Sequence, residues 1–397
     1  MTTTSTFTAT EAVELAVVER SGFVESRHIG SAVVVGAAGE VLRSLGTPSA
    51  PVFPRSCLKP FQALTVLEAL EAAELAAGET GISGERTRDH AAIVHGTGNG
   101  TGTGSTSSSE PATFTGTGTS ARNGTGTGTG TGTRYAAGSD VALDAVQTVL
   151  ATASHAGTHR HVEVVDSILA KAALGRDALQ CPADWPGDSA TRDELVRAHE
   201  GRASVYMNCS GKHAAMLYAC QVNGWPTETY LDLDHPLQQK IAQNVERLTG
   251  EPIFATGIDG CGAPIHAVSL TGLARGIGRI TSATSGPAAT LTASVLANGW
   301  AIDGPGRANT LVIDELHVLA KLGAEGVMVM SVPGRATVAL KMLDGNLRAA
   351  SLVGLTLLVS AGALTQPQLD ALLPRLDLTV YGGTTPVGTI RLSPTLT

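Results

Sequence analysis

A tract of alternating glycine and threonine constrains this chain more than any other feature. Residues 96–133 hold 12 Gly and 13 Thr in 38 positions, with one aromatic residue, Phe114, and two charged ones, Glu110 and Arg122. Such a segment offers almost no apolar surface to bury, and its glycine-rich backbone is costly to order. It reads as a flexible surface insertion. The remaining 359 residues carry 35 of the 47 glycines, an ordinary share for an α/β enzyme. Closing a long soft loop costs only about 0.6 kcal/mol per doubling of its length, so a core can fold around it. The expected division is a disordered arm over 1–10, a catalytic core of two subdomains over 11–95 and 134–397, and the insertion over 96–133.

The core has the means to bury itself, since 43% of the chain is hydrophobic. Acidic residues outnumber basic ones by 35 to 27, giving a net charge of -8, and only six of the basic residues are lysine. A long nucleic-acid footprint needs clustered Lys and Arg, and a base-stacking platform needs more than 4% aromatics, so neither is expected. The opening MTTTSTFTAT has neither a basic segment nor an apolar one, so no signal peptide is expected. No apolar run reaches the roughly 18 residues of a membrane span. Five cysteines make an odd and sparse set, which fits a reducing cytoplasm better than a disulfide scaffold.

Alternating apolar positions over 12–46, punctuated by Gly22, Gly30 and the Ala-Gly pair at 38–39, predict an antiparallel opening. Helices are expected over 60–76, 139–151 (with Ser139 as cap), 161–173, 191–199, 212–222, 236–248 and 365–374. Strands are expected over 253–257, 326–332 and 335–341, the last two joined by a Pro-Gly turn at 333–334. This is a mixed α/β pattern without βαβ repetition. The run GTGNGTG has no following Lys-Ser/Thr and opens no apolar helix, so it is not a phosphate loop.

Three stretches bear on nucleophilic chemistry. PRSCLKPFQ at 54–62 contains Ser56-x-x-Lys59, whose spacing puts both side chains on one face of a helical turn. A desolvated lysine amine there could take the serine proton. The same spacing also fits a surface lysine after a turn. ASHAG at 153–157 supplies Ser154, and KLGAEG at 321–326 supplies Lys321. Their order parallels the S-x-x-K, serine, K-T-G order of penicillin-recognising enzymes, although Leu322 stands where K-T-G has Thr. Ser154-His155 reads equally as a helix-end turn with a capping histidine.

Two further stretches carry thiols at glycine-rich turns. MNCSGKH at 207–213 holds Cys209 and Lys212, and DGCGAP at 259–264 holds Asp259 and Cys261. Two cysteines are too few for a usual four-ligand zinc site, and the spacing by itself fits buried free thiols. Cys57 lies outside the S-x-x-K register, and Cys181 and Cys220 read as structural.

Taken in order, PRSCLKPFQA, ASHAG, NCSGKHAAML, IDGCGAP and KLGAEGV resemble the Rhizobium-type L-asparaginase family, over roughly residues 12–345. The resemblance implies a fold like that of serine β-lactamases and their glutaminase relatives, with an antiparallel-rich central sheet and a helical subdomain. It implies a homodimer that hydrolyses L-asparagine to L-aspartate and ammonia. Carried over by motif, Ser56 is the nucleophile, Lys59 its partner, and Ser154 with Lys321 a second pair. Cys209, Lys212 and Cys261 fall on the family's zinc site, with Asp259 beside it. A zinc ion there is expected to position substrate rather than generate hydroxide. Arg55, His155 and Asp259 are candidates for the substrate's charged groups.

The sequence departs from the family pattern at Thr158, where a Glu is usual, at Leu322, and through the insertion. Three other readings remain open: a glutaminase or related amidase, a β-lactamase-like enzyme, and an inactive homologue.

Overall fold

The computed structural model describes residues 5–82 and 141–396, with side chains left out for 79–82. The Gly-Thr tract and Ser139 lie outside the described residues. So does nearly all of a second compact unit, residues 76–139; the account below concerns the main unit.

The main sheet begins with β1 (Val13–Arg20), β2 (Phe23–Gly36) and β3 (Val41–Leu45). A short strand, β4 (Pro51–Val52), pairs with β6 (Pro264–Ser269), which also pairs with β5 (Ala255–Ile258). The main sheet is completed by β7 (Leu319–Gly323), β8 (Val327–Val332), β9 (Ala336–Met342), β10 (Thr379–Gly382) and β11 (Thr385–Leu392). Its order is β10-β11-β1-β2-β9-β8-β7, all antiparallel, with β3 beside the second half of β2. The length of β2 organises this arrangement. Its first half pairs with β1 and leaves alternate residues to solvent; its second half is buried throughout between β3 and β9. A strand covered on both faces reads as a continuous apolar run, which is what AVVVG is. The turn joining β8 to β9 closes Arg335 N–H onto Val332 C=O at 3.0 Å, with Gly334 at φ 68°. Pro at the second position and a positive-φ glycine at the third make it a type II turn.

The helices are α1 (Lys59–Ile82), α2 (Ala145–Thr152), α3 (His159–Lys171), α4 (Ser189–Arg197), α5 (Ser210–Asn223), α6 (Pro236–Thr249), α7 (Leu270–Thr281), α8 (Gly286–Ala297), α9 (Ala308–Leu316), α10 (Ala350–Ser360) and α11 (Gln366–Leu372). Helices α7 and α10 pack on the sheet, and α2 and α3 pack on α5, which is buried from Ser210 to Cys220. The expected helices at 60–76, 161–173, 191–199, 212–222, 236–248 and 365–374 all appear. Helices α7 to α10 and strands β4, β6, β7, β10 and β11 were not expected. The segment 145–152 is capped by Asp144, whose side chain accepts from Gln147 N–H in a capping box.

One expectation is corrected at the start of the chain. Phe7 is buried in the core and Thr8 N–H donates to the Glu11 carboxylate, so residues 5–10 are anchored rather than a disordered arm. Among the described residues, no helix is long and apolar enough to cross a membrane.

Candidate active site

The S-x-x-K motif folds as a short 3-10 turn, Arg55–Leu58, running straight into α1. This turn lies against β7 and β8. Gly323 on β7 permits the close approach, since a Cβ there would sit 2.4 Å from Pro54 O. Arg55, immediately before Ser56, has φ +52°, a left-handed conformation that costs energy for a non-glycine residue and recurs at functional turns.

Lys59 begins α1 and is 1% exposed. The spacing predicts that its amine meets Ser56, but the side chain reaches across the fold instead. Lys59 Nζ donates to Ala153 O, to Ser154 Oγ at 3.0 Å and to Asn208 O at 3.4 Å, while Ser56 Oγ, half-buried, makes no hydrogen bond among the described residues. A buried amine needs several acceptors to offset its lost hydration, and the end of α2 offers them where the Ser56 side does not.

Ser154 follows α2 directly. Its Oγ lies 3.0 Å from Lys59 Nζ and 2.8 Å from Lys321 Nζ, so one hydroxyl bridges two buried lysines. Lys321 comes from β7 and also donates to Leu322 O at 2.8 Å. Burial, then the neighbouring charge of Lys59, pushes the Lys321 amine down to about 7. Two ammonium groups on one hydroxyl in a dry site repel, so near neutral pH the pair readily gives up a proton. Cys57, inside the motif beside Ser56, donates to Lys321 O at 3.0 Å, and burial raises its thiol to about 12, which keeps it unreactive.

Ser154 lines a cavity of about 480 Å³ together with Asn208, Asp303, Arg307 and Leu322. Of the expected substrate contacts, His155 borders the same cavity but has no free ring nitrogen. Nδ1 accepts from Gly157 N–H at 3.1 Å and Nε2 donates to Ser210 Oγ at 3.0 Å, that hydroxyl donating onward to Val205 O. Burial holds His155 well below its usual range, so it is a neutral brace for the turn. Arg55 and Asp259 are partners of each other, with Arg55 Nε 2.6 Å from Asp259 Oδ1. Arg55 lines a separate cavity of about 290 Å³ with Phe53, Glu325 and Lys341. Sequence reasoning missed Asp303 and Arg307. The glycine-flanked Arg of GPGR, just before a helix start, was the available signal.

The thiol residues also converge. Lys212 Nζ donates to Cys261 Sγ at 3.1 Å, and Cys261 Sγ stands 4.0 Å from Asp259 Oδ2. A hydrogen bond from Cys261 holds the Cys209 thiol well below its ordinary range. Burial works against the Lys212 ammonium, but the two sulfurs outweigh it and raise its pKa. His213 Nε2 is buried without a hydrogen-bond partner, and Cys261 is among the groups that act on this ring.

The model of the family described as L-asparaginase II matches residues 16–85 and 133–392, passing over most of the Gly-Thr tract. The chain belongs to the L-asparaginase II family. Members are amidohydrolases that act on a small-molecule amide. No curated protein matches the chain. A solved structure titled "Crystal Structure Analysis of Mglu in its native form" is similar over 84% of this chain at 13% identity, with a TM-score of 0.33. The match covers 65% of that structure's chain, just under two thirds.

Within this L-asparaginase II member, the metal implied by resemblance can be tested on the donor set. Among the described residues, no group of three or more His, Cys, Asp or Glu converges on one point. A site therefore requires the Lys212 amine as third ligand beside Cys209 and Cys261. Two sulfurs and one amine suit a soft divalent cation such as zinc once binding releases the proton that the sulfurs hold on Lys212, so these three residues fit the group. Thr158, where the family pattern has a carboxylate, caps α3: its Oγ1 accepts from His161 N–H. Leu322 borders the Ser154 cavity.

Proposed function

We propose that the protein is an L-asparagine amidohydrolase working by serine acyl transfer. The observation that carries this reading is the Lys59–Ser154–Lys321 chain of hydrogen bonds, whose first lysine stands three residues after Ser56 at the end of the same turn. With Lys321 neutral, a proton can pass from Lys59 to Ser154 while the Ser154 proton passes to Lys321. Lys59 is then free to take the proton of Ser56 as its Oγ attacks the side-chain amide carbon. The proton returns along the same path to the departing ammonia, and water, activated likewise, releases L-aspartate. Backbone N–H groups of the Arg55–Leu58 turn, other than that of Cys57, which is bound to Pro54 O, are the expected donors for the oxyanion. The long antiparallel sheet with its helical subdomain supports kinship with the serine β-lactamase architecture.

Cys209, Lys212 and Cys261 would hold zinc, which supplies fixed positive charge beside Asp259. Metal content of purified Cys209→Ala should fall to background while that of the wild type stays stoichiometric; equal content in both rejects the assignment.

One observation favours a second reading, in which Ser154 is the nucleophile: its hydroxyl, unlike that of Ser56, lines the cavity and already touches both amines.

Purified protein is expected to release ammonia from L-asparagine faster than from L-glutamine, and Ser56→Ala to release none. Because the chemistry needs a neutral Lys321, and its pKa is lowered to about 7, kcat should be small in acid and rise through about pH 7 to a plateau. A faster reaction with glutamine makes the enzyme a glutaminase. A kcat flat from about pH 5.5 to 8.5 removes Lys321 from the proton path.

A further inference from the structure

The cavity beside Ser154 contains a carboxylate and a guanidinium that the hydrolytic step does not use. Asp303 and Arg307 flank a Gly-Pro-Gly turn, and both side chains line the cavity that Ser154 lines. Asp303 is 4% exposed. A carboxylate buried that deeply is costly unless paired, yet its partners stand back. Arg307 Nη1 lies 3.3 Å from Oδ1 and Asn309 Nδ2 lies 3.3 Å from Oδ2. Charge-assisted hydrogen bonds are normally about 2.7–2.9 Å, so neither contact is drawn tight. A carboxylate has roughly four acceptor positions; these contacts and the Asn309 backbone N–H account for three of them, and burial raises the Asp303 pKa.

Arg307 is placed by its Nη2, which donates to Gly187 O at 2.6 Å, and its side chain is 41% exposed. Most of its N–H donors face no acceptor among the described residues. The loop is tied to the reacting centre through one backbone contact: Ser154 N–H donates to Ile302 O at 2.9 Å, so the residue next to Asp303 is fixed to the serine. The alternative pair, Arg55 and Asp259, is already closed on itself at 2.6 Å, and its arginine lines a different cavity.

We propose that Asp303 and Arg307 anchor the zwitterionic head of the substrate, Asp303 taking the α-ammonium and Arg307 the α-carboxylate, with the side-chain amide directed at the Ser154 end of the cavity. This assignment rests on the amidohydrolase reading and deepens it into a substrate class, small α-amino acids bearing a side-chain amide. A loose internal ion pair in a cavity is the arrangement that a zwitterion can replace with two tighter pairs. These are specificity residues rather than members of the proton path.

The test compares kcat/KM for L-asparagine, succinamate, which lacks the α-ammonium, and 3-aminopropanamide, which lacks the α-carboxylate. It uses the wild type, Asp303→Asn and Arg307→Gln, with melting curves and calorimetric binding of L-aspartate alongside. Asp303→Asn should lose about 30- to 100-fold on L-asparagine yet stay within about threefold of the wild type on succinamate. Arg307→Gln should lose a similar factor on L-asparagine and succinamate but not on 3-aminopropanamide. Both variants should bind L-aspartate more weakly. Equal losses on all three amides in folded variants mean that the pair merely pins the loop, and the proposal fails. Unchanged L-asparagine kinetics also overturn it. If Asp303→Asn does not fold, the half-exposed Arg307→Gln carries the same decision. If the wild type hydrolyses no amide, the amidohydrolase reading fails separately. The anchor then survives only if L-aspartate binds the wild type and binds both variants more weakly.

Discussion

Lys59→Met is expected to abolish ammonia release, with kcat lowered by about a thousandfold or more, while the protein stays folded. Methionine fills most of the volume of the buried stem, so little cavity is created. Replacing a buried charge by an apolar side chain of similar size is often neutral or stabilising. Against this stands the loss of a donor to Ala153 O, Ser154 Oγ and Asn208 O. Leaving a buried acceptor without a partner costs about 1–3 kcal/mol, so a melting temperature lowered by several degrees is the upper end of what is expected. Ser154 keeps its contact with Lys321 in this variant. If the lysine were a surface group after a turn, as its spacing also permits, the substitution would leave activity intact. More than about a tenth of wild-type kcat in a folded Lys59→Met would therefore remove this lysine from the chemistry.

How much of this was legible in the sequence differs by element. The Pro-Gly turn between β8 and β9 was readable because two local residues set its dihedrals. The strand opening over 12–46 was readable from its alternation. Strand β6 was not, since it is buried at every residue and so shows no alternation, and helix α7 was not, although it keeps a helical period with Arg275 and Arg279 outside, because Gly272, Gly276 and Gly278 speak locally against a helix. Lys321 was placed before an apolar strand, but it lies within a strand of its own, which the turn at 324–326, with Glu325 and Gly326 at positive φ, joins to β8 as a hairpin. The motif residues could be named in advance. Their partners could not: the amine of Lys59 chooses Ser154 over Ser56 for reasons of burial, and Asn208 O contributes through its backbone. Asp303 was invisible for the same reason, as one aspartate in an unremarkable turn until the fold set it beside Ser154.

Ser154→Ala is the substitution that separates the two serine roles. Its kcat is expected to fall by about a thousandfold, because the substitution breaks the side-chain bridge between Lys59 and Lys321. Each amine keeps a backbone acceptor, Ala153 O for Lys59 and Leu322 O for Lys321, so folding should survive. Activity alone does not distinguish a broken relay from a missing nucleophile. Mass spectrometry of quenched turnover does. If Ser56 is the nucleophile, Ser154→Ala still forms the aspartyl adduct, slowly, and Ser56→Ala forms none. The acidic limb of its remaining activity should also no longer follow Lys321, since no hydroxyl now couples that amine to Lys59. If the adduct is absent from Ser154→Ala and present in Ser56→Ala, the nucleophile is the bridging serine. Its proton then goes straight to neutral Lys321 across 2.8 Å, and Lys59 serves as the fixed positive charge beside the developing oxyanion. Both outcomes keep an acyl-enzyme, so an adduct on neither variant, with wild-type turnover intact and an adduct trapped there, would require both hydroxyls for the first bond. No adduct on any form, the wild type included, would replace acyl transfer with direct attack by water.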